Sequence, residues 1–417
     1  MNARMRTMAA VALVLGIATG PAIGSASADP AAPVAAAGWS AAGTAAAAAP
    51  GAAPGAAATA DGAAVAEPDA GVLRRAIAGL PKAEATAALV RVGGSGGSWR
   101  GGAGVADLAS GRTAVEQGRF RAGSVTKTFT AAVVLQLAAE GRVDLGRPVQ
   151  HYLPGLLPDS FGPVTVRRLL NHTSGIQAAD GPGDSFEAQW EHRFDVTDPR
   201  RQIADAVAKG PEFAPGTRQH YLNINYTVLG VLIEELTGTT YEQAVAERVL
   251  RPLGLRHTYF PGRYGTRIAG PHNRGYQAVK RADGSTELRD VTEWNSSDRW
   301  AAGDIISTTA DLERFTLALF GGRVVPGSRL EEMFTLPGVP DFVTGKPGQL
   351  TAGMARIVLP DGTEAWGKTG GRHGYNTAIG ATRDLSRSLV YSVNATDAKG
   401  EGMNPVALGI VLAAFGG

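Results

Sequence analysis

Segments with the pattern of β-strands stand at the two ends of the folded part of this chain, and helical segments lie between them. Residues 85–110 contain two strand-like runs around a glycine-rich turn, and residues 364–396 contain three more. Helical patterns end at glycines or begin at Ser and Thr caps in four segments: 124–141, 224–238, 239–250 and 307–322. Because the distant strands must pair with one another, the sequence predicts a mixed α/β fold of the α+β type. It comprises one antiparallel sheet with an inserted helical lobe.

Both ends of the chain carry a short apolar run, and the two runs are predicted to have different roles. At the C-terminus, the apolar run NPVALGIVLAAF is too short to span a bilayer and is expected to pack on the sheet as a helix. At the N-terminus, Arg4 and Arg6 precede an apolar run of about 13 residues, and the small residues of Ala26–Ala28 precede Asp29. A membrane anchor is the alternative, but a span needs roughly 20 residues. Residues 1–28 are therefore predicted to be a signal peptide that is cleaved near Ala28, which makes the protein secreted and extracellular.

Residues 29–70 are almost entirely Ala, Pro and Gly, with very little charge. Such a segment has too little side-chain surface to offset the entropy of ordering, so we predict a disordered spacer. An Ala-rich helix is the alternative, and the repeated Pro and Gly disfavour it. The folded domain is expected to cover residues 71–417.

Composition narrows the function classes. The 417 residues are 44 % hydrophobic, which is enough for a large core, and 40 Lys and Arg nearly balance 38 Asp and Glu. The sequence has no long basic stripe of the kind that binds nucleic acid. The absence of cysteine excludes disulfides and thiol catalysis. Histidine spacing suggests no metal site. We expect a monomer without a cofactor or stable membrane anchor, acting on a small molecule or peptide.

Ser124 and Lys127 stand three positions apart at the start of the apolar run SVTKTFTAAVVLQLAAEG. This spacing is about one helical turn, so it puts the hydroxyl and the amine on the same face, with the serine at the positive end of the helix dipole. A serine hydroxyl is a poor nucleophile until its proton is removed, and a desolvated lysine with a lowered pKa can remove it. Alone, Ser-x-x-Lys is a weak signal, because short motifs match by chance.

Two further groups of residues can assist such a serine. Tyr221 and Asn223 lie two positions apart at the entrance to a helix, where a phenol can transfer a proton and an amide can hold a substrate. Alternatively, Asn223 caps the helix and Tyr221 packs. Further on, Lys368-Thr369-Gly370-Gly371 lies in strand-like sequence, where a cation, a hydroxyl and open backbone suit a carboxylate-bearing substrate. An ordinary glycine-rich hairpin is the alternative there.

The order Ser-x-x-Lys, Tyr-x-Asn, Lys-Thr-Gly, with intervals of about 95 and 145 residues, resembles the active-site set of the penicillin-recognising serine hydrolases. The segments FRAGSVTKTFTAAVVLQLAAEGRVDLGRPVQHYLPGLLP, VTVRRLLNHTSGI, APGTRQHYLNINYTVLGVLIEELTG and IISTTADLERF are also similar to that superfamily, in the branch of secreted DD-carboxypeptidases and class C β-lactamases. The resemblance covers roughly residues 72–417 and implies a β-lactamase/transpeptidase-like fold.

The resemblance also implies roles for the residues. Ser124 matches the acylated nucleophile, and Lys127 its proton acceptor or electrostatic partner. Tyr221 matches the group that passes the proton to the leaving amine. Substrate-binding residues of the family match Asn223, Lys368, Thr369 and Gly370, and the oxyanion hole matches the backbone N–H groups of Ser124 and Gly371.

Two departures from the branch concern the substrate. The secreted carboxypeptidases carry His where this chain has Lys368, so that position is more similar to β-lactamase and esterase relatives. They also carry a carboxylate-binding arginine on the preceding strand, where the alignment places Ala355 rather than Arg356. Because alternate strand residues face opposite sides, Arg356 is expected to point away from the site.

The resemblance thus implies a secreted serine hydrolase that forms an acyl-serine intermediate, most similar to D-alanyl-D-alanine carboxypeptidases that bind penicillin. A class C-like β-lactamase, an esterase of small acyl groups and a non-catalytic penicillin- or wall-binding relative are the alternatives. One rival nucleophile is Ser95 in GGSGG, which matches the Gly-x-Ser-x-Gly elbow but continues into a strand rather than a helix. We predict that Ser95 is a hairpin turn residue and that His172 and His373 are structural or line the rim of the site.

Overall fold

One six-stranded antiparallel sheet organises the protein, and its strands come from both ends of the chain. The computed structural model describes residues 66–359 and 361–416. The predicted signal peptide and residues 29–65 of the predicted spacer lie outside them. The strands of the sheet are β1 (Ala85–Gly93), β2 (Trp99–Gly104), β7 (Ala355–Val358), β8 (Glu364–Arg372), β9 (Tyr375–Thr382) and β10 (Ser388–Ala395), in the order β2-β1-β10-β9-β8-β7.

The pairing of β1 with β10 joins the two ends of the chain. Val90 lies opposite Tyr391 in this pair, and Val90 also lies opposite Gly101 of β2. These are the five strands that the sequence predicts, and β7 adds an edge strand in which Arg356 pairs with Trp366. Four short strands form two small ladders elsewhere: β3 (Phe120–Arg121) with β6 (Ile306–Ser307), and β4 (Tyr276–Lys280) with β5 (Thr286–Asp290).

Two of the predicted helices have the predicted capping residues at one end, whereas the predicted helix 239–250 divides into an α-helix and a π-helical segment, Ala246–Leu250. Thr308 accepts a hydrogen bond from the Asp311 N–H, and Gly238 takes the left-handed conformation that ends its helix. The helices are α1 (Ala70–Ile77), α2 (Thr126–Ala139), α3 (Val166–Leu170), α4 (Phe186–Glu191), α5 (Pro199–Val207), α6 (Ile224–Thr237), α7 (Tyr241–Val245), α8 (Trp300–Gly303), α9 (Thr309–Phe320), α10 (Gly327–Leu330) and α11 (Pro405–Phe415). None of the helices in the described residues is long and apolar enough to cross a membrane.

Two hydrophobic cores lie on the two faces of the sheet. The larger core joins the sheet to the helical lobe, and α2 and α6 are buried almost all round within it. This explains why both helices are apolar on every side rather than on one stripe. The smaller core packs α1 and α11 on the opposite face, against residues such as Val90 and Tyr391. The predicted C-terminal helix therefore does pack on the sheet.

Candidate active site

Ser124 lies in a single 3-10 turn, Gly123–Val125, which connects β3 to α2 and packs directly on β8. Glycine is required on both sides of this contact. Gly123 has a φ of +53°, and a Cβ added to it would lie 2.8 Å from the Gly371 nitrogen. A Cβ on Gly370 would lie 2.0 Å from the Ala122 oxygen and 3.0 Å from the Ser124 nitrogen. The backbones of Ser124 and Gly371 are therefore neighbours, as two donors to one oxyanion would have to be.

Lys127 lies one turn into the run that follows Ser124 and is completely buried. Its Nζ is 3.2 Å from Ser124 Oγ. The amine also donates hydrogen bonds to Asn223 Oδ1 and to the Ala302 carbonyl, each at 2.7 Å. Burial holds the pKa of Lys127 well below its usual value, and the nearby cations Lys368 and Arg299 lower it further.

The three oxygen neighbours of Lys127 can all accept from a charged amine, and they are also compatible with the neutral amine that burial favours. A neutral amine has two N–H bonds and one lone pair, whereas a charged one has three donors and no acceptor. The oxygens of Asn223 and Ala302 can only accept, so in the neutral form they take the two N–H bonds. The lone pair is then left for the hydroxyl proton of Ser124, and this arrangement can activate a serine by general-base catalysis.

Tyr221 lies between two lysines, with its ring centre 5.0 Å from Lys127 Nζ and 4.7 Å from Lys368 Nζ. Burial raises the pKa of the Tyr221 phenol, and the nearby Ser124 hydroxyl and Arg299 guanidinium offset only part of that increase. The phenol is therefore protonated near neutral pH, which makes it a proton donor rather than a base in the free protein.

Asn223 stands at the N-cap position of α6, but its side chain makes no capping hydrogen bond. Its Oδ1 instead accepts from Lys127. The structure thus brings Asn223 into the same cluster as Ser124, Lys127 and Tyr221, although 96 residues separate Asn223 from the lysine.

Lys368 and Thr369 point to opposite faces of β8, as alternate strand residues must. Lys368 is buried beside Tyr221, and burial lowers the pKa of its amine to about 7. Thr369 lines a cavity of about 20 Å³ behind the strand, together with Thr377 and Asn404. Within the described residues its buried Oγ1 has no hydrogen-bond partner. The structure therefore brings Lys368 to the reactive cluster and does not bring the hydroxyl of Thr369 there.

His172 has the structural position beside the reactive cluster that the sequence predicted. Its ring centre is 4.7 Å from that of Tyr221 and 5.2 Å from that of Tyr226. Burial, and then the charge of Lys127, hold the pKa of His172 well below its usual value, so the imidazole is neutral. It supports the Tyr221 ring from the side, a role that the sequence does not signal because the two residues lie on separate segments.

The structure also shows the positions of three other residues that the sequence analysis discussed: Ser95, His373 and Arg356. Ser95 lies in the turn that connects strands β1 and β2, as predicted, so it is not at a strand-to-helix elbow. His373 is buried against Trp294 and Phe186, and its Nε2 contacts Gln189 Oε1 at 2.9 Å. The expectation that Arg356 lies on the face away from the site is wrong, because Arg356 pairs with Trp366 and so lies on the face of the sheet that also carries Lys368. Its guanidinium bonds to Gln349 and Glu364.

Two cations that the sequence analysis did not single out reach the cluster. Arg299 precedes α8, and Lys399 lies in the connection from β10 to α11. Both lower the pKa of Lys127. Across residues 66–359 and 361–416, no group of three His, Asp or Glu side chains is arranged to hold a metal ion.

The β-lactamase family matches residues 73–411, which is most of the chain. The protein belongs to the β-lactamase family. This family consists of serine hydrolases and their penicillin-binding relatives, and the fold and family predicted from the three motifs are confirmed.

Relatives within the β-lactamase family have several activities in their names. A putative penicillin-binding protein of Bacillus subtilis is 32 % identical over 223 residues, which is 52 % of this chain and 50 % of the relative. Esterase EstB of Burkholderia gladioli is 34 % identical over 194 residues, or 43 % of this chain and 48 % of the relative. The chain thus matches about half the length of these curated relatives.

Solved structures match over more of the chain. A D-stereospecific amidohydrolase from Streptomyces sp. aligns with a TM-score of 0.71 and 34 % identity, covering 84 % of this chain and 99 % of that one. A D-amino acid amidase from Ochrobactrum anthropi SV3 aligns with a TM-score of 0.68 and 26 % identity, covering 83 % and 97 %.

Proposed function

We propose that the protein is a secreted D-alanyl-D-alanine carboxypeptidase-like enzyme, and that penicillins acylate the same serine. The observation that carries the acyl-enzyme part is the 3.2 Å approach of Ser124 Oγ to the Nζ of a fully buried lysine. The substrate class is supported by the penicillin-binding relative and by the excess of cations around the serine. Export is supported by the composition of residues 1–28.

In the proposed reaction, Ser124 Oγ attacks the carbonyl carbon of the penultimate residue while Lys127 takes the hydroxyl proton. The negative charge that develops on the carbonyl oxygen is stabilised by the N–H groups of Ser124 and Gly371. Tyr221 donates its proton to the departing amine of the terminal D-alanine and regains one from Lys127. Water then hydrolyses the acyl-serine, which releases the shortened peptide and restores the serine.

A second candidate is hydrolysis of D-amino acid amides or short D-peptides at the same serine. It is favoured by the 34 % identity to the Streptomyces D-stereospecific amidohydrolase over 99 % of that chain. Both candidates use an acyl group of D configuration, and they differ in the leaving group. A carboxypeptidase releases an amino acid that carries a carboxylate, whereas an amidase releases ammonia or an uncharged amine.

The test combines covalent labelling with a pair of substrates. We expect intact-protein mass spectrometry to find one benzylpenicillin adduct on the wild type and none on Ser124→Ala, with Ser95→Ala as the control that labels normally. The wild type should release D-alanine from an N-acyl-D-alanyl-D-alanine peptide faster than it releases ammonia from D-alaninamide. The reverse preference would favour the amidase. An adduct that decays within seconds would indicate a β-lactamase, and turnover of p-nitrophenyl esters alone would indicate an esterase.

A further inference from the structure

Three cations lie at the edge of the reactive cluster, and two of them share one carboxylate. Asp298 binds Arg299 through Oδ2 at 3.0 Å and Arg372 through Oδ1 at 3.4 Å. The third cation, Lys399, donates to the Gly371 carbonyl at 2.8 Å, and among the described residues no carboxylate is paired with it. The positive charge of this group therefore exceeds its negative charge, which favours the binding of an anion.

Two of these cations adjoin the backbone that flanks Ser124. Lys399 is bonded to Gly371, which touches the 3-10 turn of Ser124. The base of the Arg299 side chain lies beside Gly303, which adjoins the turn on its other side. A Cβ placed on Gly303 would lie 3.0 Å from Arg299 Cβ and 3.8 Å from the carbonyl carbon of Gly123. The charges of Arg299 and Lys399 also lower the pKa of Lys127, as they must if they lie close to the reacting atoms.

The three cations differ in how accessible their side chains are to a ligand. Arg372 is 5 % exposed and is bonded to Asp298 and to the Asn295 carbonyl, so its side chain stabilises the segment that precedes α8. The Arg299 side chain is 27 % exposed. Lys399 is an exposed residue, but burial of its amine, and then the charges of Arg299 and Arg372, lower the pKa of that amine to about 7, so its charge is partial near neutral pH. Arg299 and Lys399 are thus the two that a bound ligand can reach. Arg356 is about as exposed as Arg299, at 30 %, and is also ion-paired, with Glu364 at 3.2 Å, so it serves as the matched control on β7.

We propose that Arg299 and Lys399 bind the terminal carboxylate of the substrate and so set the preference of this enzyme for a free C-terminal acid. The proposal rests on the proposed function and names its specificity residues. Arg299 can offer an N–H fork and Lys399 a point charge, and both types of donor form charge-assisted hydrogen bonds with a carboxylate. This pair replaces the arginine that the related carboxypeptidases carry on the strand before the Lys-Thr-Gly motif.

The experiment compares two peptides that differ only at the C-terminus: N-acyl-D-alanyl-D-alanine and its C-terminal amide. For each, kcat/KM is measured on the wild type, Arg299→Gln, Lys399→Gln and the control Arg356→Gln. We expect the ratio of acid to amide to fall about tenfold to hundredfold in Arg299→Gln and Lys399→Gln, the usual range for a hydrogen bond to a charged group. Most of this change should appear in KM. Arg299→Lys and Lys399→Arg should restore part of the preference, because a carboxylate accepts either cation.

The outcomes separate the inference from the proposed function. If the wild type prefers the acid but both Gln variants lose activity on acid and amide equally, the two residues act only on the structure of the loop and the inference is wrong. A loss of preference in Arg356→Gln would also overturn it. If the wild type hydrolyses neither peptide while it still cleaves a p-nitrophenyl ester, the proposed function itself fails and the inference fails with it.

Discussion

Lys127 is the residue on which the proposed acylation step depends. Lys127→Arg would keep a cation and fill much of the same space, but a guanidinium stays protonated and cannot act as a base. We expect the acylation rate constant to fall by two to four orders of magnitude, since general-base catalysis contributes roughly 10²–10⁴-fold. Stopped-flow or quenched mass spectrometry with benzylpenicillin between about pH 5 and 9 measures it. Acylation within threefold of the wild type would show that Lys127 is only a positioning charge.

Lys368 is expected to influence the pH at which Lys127 can act as a base. Its positive charge repels a proton on Lys127 and so helps to lower the pKa of that amine. In Lys368→Met the repulsion is lost, the pKa of Lys127 rises, and a higher pH is needed to free its lone pair. We therefore expect the acidic limb of the pH profile of acylation to move to higher pH.

The pH profile has a second limb that tests the same residue. The wild type should lose acylation of anionic substrates as Lys368 loses its charge near its pKa of about 7. Lys399, whose pKa burial also lowers to about 7, contributes to the same loss. Lys368→Met should therefore reduce that limb rather than remove it. An acidic limb that does not move in the variant would mean that the two lysines are not electrostatically coupled.

Among the elements, the contact between the 3-10 turn of Ser124 and β8 leaves no room for a side chain. Gly370→Ala would put a Cβ 2.0 Å from the Ala122 oxygen, and because the opposing atoms are backbone they cannot rotate away. The turn and the strand must separate, and a misplacement of about 1 Å can cost about 100-fold in rate. We expect at least that loss in acylation, together with a lower melting temperature. Gly380→Ala in β9 is the matched control, since its nearest contact is at 3.4 Å. Equal effects of both variants would contradict the steric explanation.

At the scale of the whole molecule, the two ends of the chain stabilise the sheet on the face that is turned away from Ser124. Ile410 in α11 is fully buried in the smaller core. We expect Ile410→Ala to lower the free energy of unfolding by about 2–5 kcal/mol, the usual cost of such a cavity. Urea denaturation measures this loss, and Leu408→Ala, on a half-buried position of the same helix, should lose less. At temperatures where the variant is folded, kcat/KM should stay close to the wild-type value. A loss of activity that exceeds the unfolded fraction would show that α11 also shapes the site.

The sequence by itself determined the central elements of the fold and most of the reactive residues. Five strands of the sheet, the helices around Ser124 and Asn223 and the terminal helix follow from local periodicity, glycine positions and caps, which act over a few residues. The order of the three motifs also led to the family, because each motif is contiguous in the chain.

Only the tertiary structure decided how the side chains are used. Asn223 occupies a cap position, yet it holds Lys127, because a buried amine needs an acceptor more than the helix end needs a side-chain cap. Thr369 turns away from the cluster because Lys368 takes the face beside Tyr221. Arg299 and Lys399 carry no motif and are 100 positions apart in the sequence. They meet at the site because the sheet and the helical lobe bring their loops to the same turn, and local patterns contain no information on contacts at that separation.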